Sequence, residues 1–225
     1  MEGTYSLQDI VIISDFDGTI TLQDSNNLLF KTFGNDENKN IEKLYAKGTI
    51  GTKEGMIEHF SIMKLSEGTY SEFIEKKIEM DKGFKQFYNF ISKKNIPFIV
   101  VSGGFTNCIN LVFKREKIIL NNIYANKLIF NENNAKPIFL HEIESCNGNF
   151  KTCGNCKLYY LEKYRSMGKK VIFIGDGLTD RCIASQSDIV YAKGALEKHC
   201  KCNKIQYIKY NDFYDITDSL MEMMI

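Results

Sequence analysis

Three short apolar runs punctuate the chain, each ending in small polar residues. Ile10-Val11-Ile12-Ile13 leads into Ser14-Asp15, Phe98-Ile99-Val100-Val101 into Ser102, and Val171-Ile172-Phe173-Ile174 into Gly175-Asp176. Runs this short and rich in β-branched residues predict strands buried on both faces, as in a parallel sheet. Helical spacing follows or precedes them: Phe84, Phe87, Phe90 and Ile91; Phe105, Ile109, Val112 and Phe113; Leu158, Leu161 and Tyr164. Strand and helix in alternation predict an α/β fold with a doubly wound, mostly parallel sheet. Such sheets bind ligands beyond the carboxyl ends of their strands, where all three runs carry their polar residues.

Residues 22–82 break this alternation. Leu28, Leu29, Phe30 and Phe33 form one apolar face, Met56, Ile57, Phe60 and Met63 a second, and Phe73, Ile74 and Ile78 a third, with no convincing buried strand among them. The pattern predicts an inserted helical cap domain at 22–82, with 1–21 and 83–225 forming the catalytic core. Tyr124 to Leu140, with Asn131-Glu132-Asn133-Asn134 at its middle, predicts a β-hairpin with a polar turn.

Composition narrows the ligand class. The 225 residues are 44% hydrophobic and 25% charged, an ordinary globular balance. Lys plus Arg number 29 and Asp plus Glu 28, so no global field favours nucleic acid or a membrane surface, and a charged ligand must be recruited locally. The first nine residues have no basic start followed by an apolar stretch, and no apolar run approaches the ~20 residues of a membrane span. Seven cysteines at irregular spacing fit a reducing cytoplasm better than a secreted disulfide scaffold.

The polar residues at the strand ends carry the chemistry. Asp15 and Asp17, two apart, are expected on one side of the strand as it runs out into Gly18 and Thr19. Two such anions repel unless a cation or a shared proton lies between them, and a hard divalent ion such as Mg²⁺ fits carboxylates and phosphate oxygens together. Taken alone, Asp17-Gly18 also reads as a simple turn between strands. Ser102-Gly103-Gly104 brings a hydroxyl and unhindered amides to another strand end, where an anion can approach. In Gly175-Asp176-Gly177-Leu178-Thr179-Asp180, Asp176 is placed to complete a metal site with Asp15 and Asp17, and Asp180 to orient a neighbouring cation. Lys157 opens the preceding helix and adds an ammonium. Singly each of these is a surface charge; in this order at successive strand ends they form a constellation.

The four elements resemble the motifs of the haloacid dehalogenase superfamily of aspartate-nucleophile phosphohydrolases. Asp15-Phe16-Asp17-Gly18-Thr19 is similar to the first motif, Ser102 to the second, Lys157 and Gly175-Asp176 through Asp180 to the third and fourth. A helical insertion between the first two resembles the phosphoserine phosphatase-like branch. Within that branch, four segments resemble the methionine-salvage phosphatases acting on 2-hydroxy-3-keto-5-methylthiopentenyl-1-phosphate: Thr19-Ile20-Thr21 with Asp24, Pro97-Phe98 before Val101-Ser102-Gly103-Gly104, Cys153-Gly154-Asn155-Cys156-Lys157, and Asn211-Asp212-Phe213-Tyr214. The resemblance implies a Mg²⁺-dependent phosphatase with a Rossmann-like core. Asp15 is then the nucleophile, forming an aspartyl-phosphate. Asp17 is the acid and base and reaches the metal through its backbone carbonyl. Thr19, Ser102, Gly103, Gly104 and Lys157 bind phosphate, and Asp15, Asp17 and Asp176 hold metal. Asp180 supports Lys157 or a metal-bound water.

The expected partner is a small phosphorylated metabolite. A phosphoserine site calls for a planar arginine clamp on the carboxylate, yet the arginines are Arg115, Arg165 and Arg181, none within 22–82. Asp24 contacts a substrate hydroxyl or amine, or caps a helix. Lys47, Lys53 and Lys64 are cap cations, although most lysines in a helical bundle are solvated. Cys146, Cys153 and Cys156, with Cys200 and Cys202, read as ordinary thiols ahead of a zinc site or redox switch. His59, His141 and His199 lack metal-ligand spacing. The alternatives are a phosphatase or phosphotransferase for another metabolite (phosphoethanolamine, phosphocholine, pyridoxal phosphate, thiamine monophosphate) and a non-catalytic phosphate- or metal-binding regulator. Oligomeric state is not readable from the chain.

Overall fold

The computed structural model describes residues 9–140 and 153–223. His141, Cys146 and the first eight residues lie outside them. Among the described residues seven strands, β1 (Ile10–Ser14), β2 (Phe98–Phe105), β3 (Ile123–Asn131), β4 (Asn134–Ile138), β5 (Lys170–Gly175), β6 (Ile189–Ala192) and β7 (Ile208–Lys209), form one sheet in the order β4-β3-β2-β1-β5-β6-β7. The expected α/β class with a mostly parallel sheet is what the chain adopts: β1 pairs in parallel with β2 and β5, β5 with β6, and β6 with β7, while β3 and β4 form the antiparallel hairpin. The chain divides into two compact units, Met1–Leu22 with Met80–Val101 and Lys157–Ile225, and Gln23–Glu79 with Ser102–Cys156.

In the first unit every residue of β1 is buried, which is why the strand is an unbroken apolar run. Its register sets Ile13 beside Ile99 and Phe173, and Ser14 beside Val100 and Ile174. Helices α5 (Phe84–Lys93) and α10 (Phe213–Met223) bury their aromatic faces together, with the Phe213 ring 5.0 Å from Phe84 and 4.9 Å from Phe87. Asp81 ties this layer to the segment that returns to the core. Its amide donates to Ile20 O at 2.8 Å, and its Oδ1 accepts from Gly83 N at 2.8 Å and Phe213 N at 3.1 Å. A bridge between Thr21 and Met80 lies next to it. Asp212 Oδ1 accepts from Tyr214 N at 3.0 Å, so Asn211-Asp212-Phe213-Tyr214 starts α10 with capping chemistry. Helix α7 (Lys157–Ser166) packs on β5, the short α8 (Arg181–Ala184) on α7, and α9 (Gly194–Cys202) on β6.

The second unit holds α1 (Ser25–Phe33), α2 (Asp36–Ala46), α3 (Thr52–Ile62), α4 (Glu67–Lys77), α6 (Thr106–Arg115) and the hairpin. It contains most of the expected insertion and 102–156 as well. Asp24 is the N-cap of α1, its Oδ1 accepting from Asn27 N at 2.9 Å. Helix α2 has only a narrow buried edge and is fixed by its ends: Asn35 accepts from the amides of Glu37 and Asn38, and Asn38 Oδ1 returns the contact to Asn35 N. Leu65 N donates to Asn133 O at 2.7 Å, Tyr70 packs on Phe130 at 5.4 Å, and the Arg115 guanidinium donates to Glu75 O and Ile78 O at 2.9 and 2.7 Å. An aromatic series runs from β2 into the helices, Phe105 to Phe60 to Phe30, ending in the His59 ring stacked on Phe30 at 3.9 Å.

His59 lies 2.8 Å through Nδ1 from Asn38 Nδ2, which fixes Nδ1 as the acceptor and the ring as neutral. Burial lowers its pKa to about 4. An unfolded histidine titrates near 6.5, so between about 4 and 6.5 the unfolded chain binds the proton and the folded chain does not. Stability is therefore full above that window and falls as pH drops through it, by up to about 3 kcal/mol. Urea midpoints at pH 7 and pH 4.5 check this: His59→Gln is expected to lose less stability across the interval than the wild type.

Candidate active site

The site begins where β1 ends. Asp15 N donates to Ile174 O at 2.9 Å, so the pairing with β5 continues one residue beyond the strand and brings Asp15 out beside Gly175 and Asp176. The chain then closes on one carbonyl: the amides of Thr19, Ile20 and Thr21 all donate to Phe16 O, at 3.2, 2.8 and 3.1 Å. Asp17 lies in this turn, past the end of β1, so strand alternation does not set its side chain beside Asp15. Gly18 has φ +73, and a Cβ there would meet Asp176 Oδ2 at 2.5 Å.

Lys157, at the first position of α7, is buried with its ammonium between two carboxylates, Asp15 Oδ2 at 2.7 Å and Asp180 Oδ1 in a shorter contact. Asp180 uses its other oxygen on the amides of Asp176 and Gly177, both at 3.1 Å, closing the turn that follows β5. Asp176 Oδ1 accepts from Thr19 Oγ1 at 2.7 Å, and Asp15 Oδ1 from Phe16 N at 2.7 Å. One carboxylate oxygen each of Asp15, Asp176 and Asp180 lies within 4.8 Å of the others; Asp17 is not one of this group.

Electrostatics follow from that crowding. Burial, then the Asp180 charge, pushes the Asp15 carboxyl well above the usual range, against the pull of Lys157. Asp176 rises to about 6, again by burial first and Asp180 second. Burial alone would depress Lys157, but Asp15 and Asp180 more than reverse it, and its pKa is raised. Lys193, which no motif singled out, supplies a second ammonium. Its Nζ is 3.4 Å from Thr19 O and 5.0 Å from the centre of the Tyr210 ring, and burial lowers its pKa against the opposing charge of Asp176.

The sequence model of the UMPH-1 family, described as pyrimidine 5'-nucleotidase, matches residues 52–225. The chain belongs to this family. UMPH-1 is a family of haloacid dehalogenase-type phosphatases, and the chain is a phosphoric monoester hydrolase. Two bacterial relatives named 2-hydroxy-3-keto-5-methylthiopentenyl-1-phosphate phosphatase match it nearly end to end. The one from Exiguobacterium sp. is 29% identical over 92% of this chain and 94% of its own. The one from Bacillus mycoides is 29% identical over 96% and 97%. Among solved structures, a phosphoserine phosphatase captured as an analogue of its phospho-aspartyl intermediate has the same fold, with TM-score 0.67, 19% identity, and coverage of 94% and 98%.

In this UMPH-1 phosphatase the residues expected from sequence, Asp17 in its turn apart, fall into three sets. Asp15, Thr19, Lys157, Asp176 and Asp180 form one connected network in the first unit. Ser102, Gly103 and Gly104 end β2 in the second unit, where Gly104 N donates to Ser102 Oγ at 2.9 Å. Asp24 uses both carboxylate oxygens locally, on Asn27 N and Asn27 Nδ2, which is capping geometry. Cys182, Cys200 and Cys202 are free thiols.

Gly18→Ala tests how closely the turn is fitted. A left-handed backbone position and a collision with Asp176 together are expected to lower stability by about 1–3 kcal/mol. Displacing Asp176 should also lower kcat/KM by about 100-fold. Thermal denaturation and steady-state kinetics on one preparation read both; an unchanged kcat/KM would mean that Asp176 is not held for function.

Proposed function

We propose that this phosphatase hydrolyses 2-hydroxy-3-keto-5-methylthiopentenyl-1-phosphate in the cytoplasm, through an aspartyl-phosphate on Asp15 and with Mg²⁺ as its ion. The observation that carries the reaction is the buried Lys157 ammonium held between Asp15 and Asp180, which sets one Asp15 oxygen and leaves a compact cluster of acidic oxygens around it. The substrate follows from two relatives that match nearly the whole chain under that name.

The donor set fits a hard divalent cation: carboxylate oxygens of Asp15 and Asp176 close together, in a cluster whose three carboxylates exceed the charge of Lys157. Asp15, Asp176 and the backbone carbonyl of Asp17 would hold Mg²⁺. When bound, the ion offsets the negative charge of the phosphate dianion and of the carboxylate that attacks it. Asp15 attacks phosphorus, the bond to the leaving oxygen breaks, and Asp17 gives that oxygen its proton. Asp17 then takes a proton from water, which attacks phosphorus and frees phosphate from Asp15. Ser102, Gly103 and Thr19 bind and orient phosphoryl oxygens in the roles their motifs imply, and Lys157 holds Asp15 for attack. Asp180 positions Lys157 and the Asp176 turn.

A carboxylate-bearing substrate such as phosphoserine is disfavoured because 22–82 contains no arginine to clamp it. Arg115 is engaged with the carbonyls of Glu75 and Ile78 and with Glu116, and Arg165 with Gln186 O and Asp188. A second reading, hydrolysis of a pyrimidine nucleoside 5'-phosphate, is favoured by the description of the matching family. Values of kcat/KM with Mg²⁺ for the methylthiopentenyl phosphate, UMP, CMP, phosphoserine, phosphoethanolamine, phosphocholine, pyridoxal phosphate and thiamine monophosphate separate these. The first is expected to lead by at least about tenfold, a difference of ~1.4 kcal/mol in transition-state binding; a lead for UMP or CMP would replace it with the nucleotidase reading.

A further inference from the structure

Two asparagines outside the proposed catalytic set converge on the Ser102-Gly103-Gly104 segment. Asn155 Nδ2 donates to Ser102 O at 3.1 Å and also to Tyr124 O at 2.8 Å. Asn126 Nδ2, from β3, donates to Gly103 O at 3.0 Å. Both side chains are buried, and both carboxamide oxygens are sealed away with no donor among the described residues. A buried acceptor left unpaired is costly, and proteins retain such atoms where another demand outweighs the cost. Here the demand is on the donor side, since each NH₂ group holds one of two consecutive carbonyls. Gly154 leaves room for the arrangement, because a Cβ there would come within 3.3 Å of Asn126 Nδ2 and 3.0 Å of the Phe139 ring.

A trans peptide plane carries its C=O and the next N–H in opposite directions. Anchoring Ser102 O on Asn155 therefore turns the Gly103 N–H to the opposite side. Anchoring Gly103 O on Asn126 turns the Gly104 N–H away from β3, where it meets Ser102 Oγ at 2.9 Å. With a lone pair of that hydroxyl occupied, its proton becomes an outgoing donor. We propose that Asn126 and Asn155 are positioning residues, a carboxamide clamp that aims the Gly103 amide and the Ser102 hydroxyl at the phosphoryl group. The clamp rests on the reading of Ser102-Gly103 as the phosphate-binding segment.

The test is a titration of the ¹⁵N-labelled protein with inorganic phosphate in Mg²⁺ buffer, on wild type, Asn126→Ala and Asn155→Ala. In wild type the Gly103 amide is expected to shift saturably, while the NH₂ protons of Asn126 and Asn155 stay protected from exchange with and without phosphate. Each variant should bind phosphate about 10- to 100-fold more weakly, the range in which groups that orient a binding residue act. Their KM should rise by a similar factor, and their thermal midpoints should fall too little to account for it. A Gly103 amide indifferent to phosphate in wild type overturns the phosphate-segment reading and the clamp with it. A shifting Gly103 amide with unchanged phosphate affinity in both variants overturns the clamp alone. Should either variant fail to fold, the wild-type exchange measurement still decides: NH₂ protons that exchange within minutes are incompatible with a clamp.

Discussion

Asp15→Asn is expected to lower kcat by on the order of 10⁴-fold or more, as loss of a covalent nucleophile does, while leaving the protein at least as stable as the wild type. The stability half of this expectation comes from the surroundings of the carboxyl. Burial and the neighbouring charges of Asp180 and Asp176 act against its ionised form, and Lys157 compensates only in part. An amide of the same shape removes the repulsion and keeps a contact to Phe16 N available through its carbonyl oxygen. Single-turnover kinetics and a denaturant midpoint measure the two halves separately. Wild-type turnover in the variant would rule out an Asp15 aspartyl-phosphate; a large drop in stability would mean that the charge itself holds the strand end together.

Lys157→Met is expected to act on both properties at once. The side chain is buried between Asp15 and Asp180, and Asp180 is wholly inaccessible. Removing the cation leaves two carboxylates facing each other in a site that excludes water, at a cost of about 3–5 kcal/mol. Turnover should fall with it, because Asp15 loses its orienting partner. The double variant Lys157→Met with Asp15→Asn provides the internal control: with one anion also gone, part of the lost stability should return. Stabilities that add to within about 0.5 kcal/mol would show that the three side chains do not act as one network.

The chain announced its buried elements more clearly than its polar ones. Strands β1, β2 and β5 were legible because strands covered on both faces need uninterrupted apolar runs, and the hairpin because Asn131-Glu132-Asn133-Asn134 is turn-forming. Helix α2 was not, since its sequence DENKNIEKLYA has no broad apolar stripe and depends on the caps at Asn35 and Asn38. Strands β6 and β7 have four and two residues, too few for a period. Asp15, Lys157, Asp176 and Asp180 were readable as a constellation because each sits at a strand end or helix start. Lys193, Asn126 and Asn155 had no such signature; a buried lysine or carboxamide looks like any other until the fold supplies its neighbour. Asp15 and Asp17 were expected to converge where the strand runs out into a loop; β1 ends at Ser14 and the chain curls onto Phe16 O, so the turn rather than strand alternation places Asp17.

The makeup of the second unit bears on how this enzyme can be re-engineered. Its helices at 23–79 and the stretch 102–156 are stitched together by Leu65 to Asn133, Tyr70 to Phe130, Phe60 to Phe105 and Arg115 to the end of α4. A chimera that imported only residues 23–79 from a relative would cut through every one of these seams. Exchange of substrate preference between relatives should therefore succeed as a two-segment transplant, with 102–156 travelling alongside 23–79, and single-segment chimeras should be recovered mainly as insoluble protein.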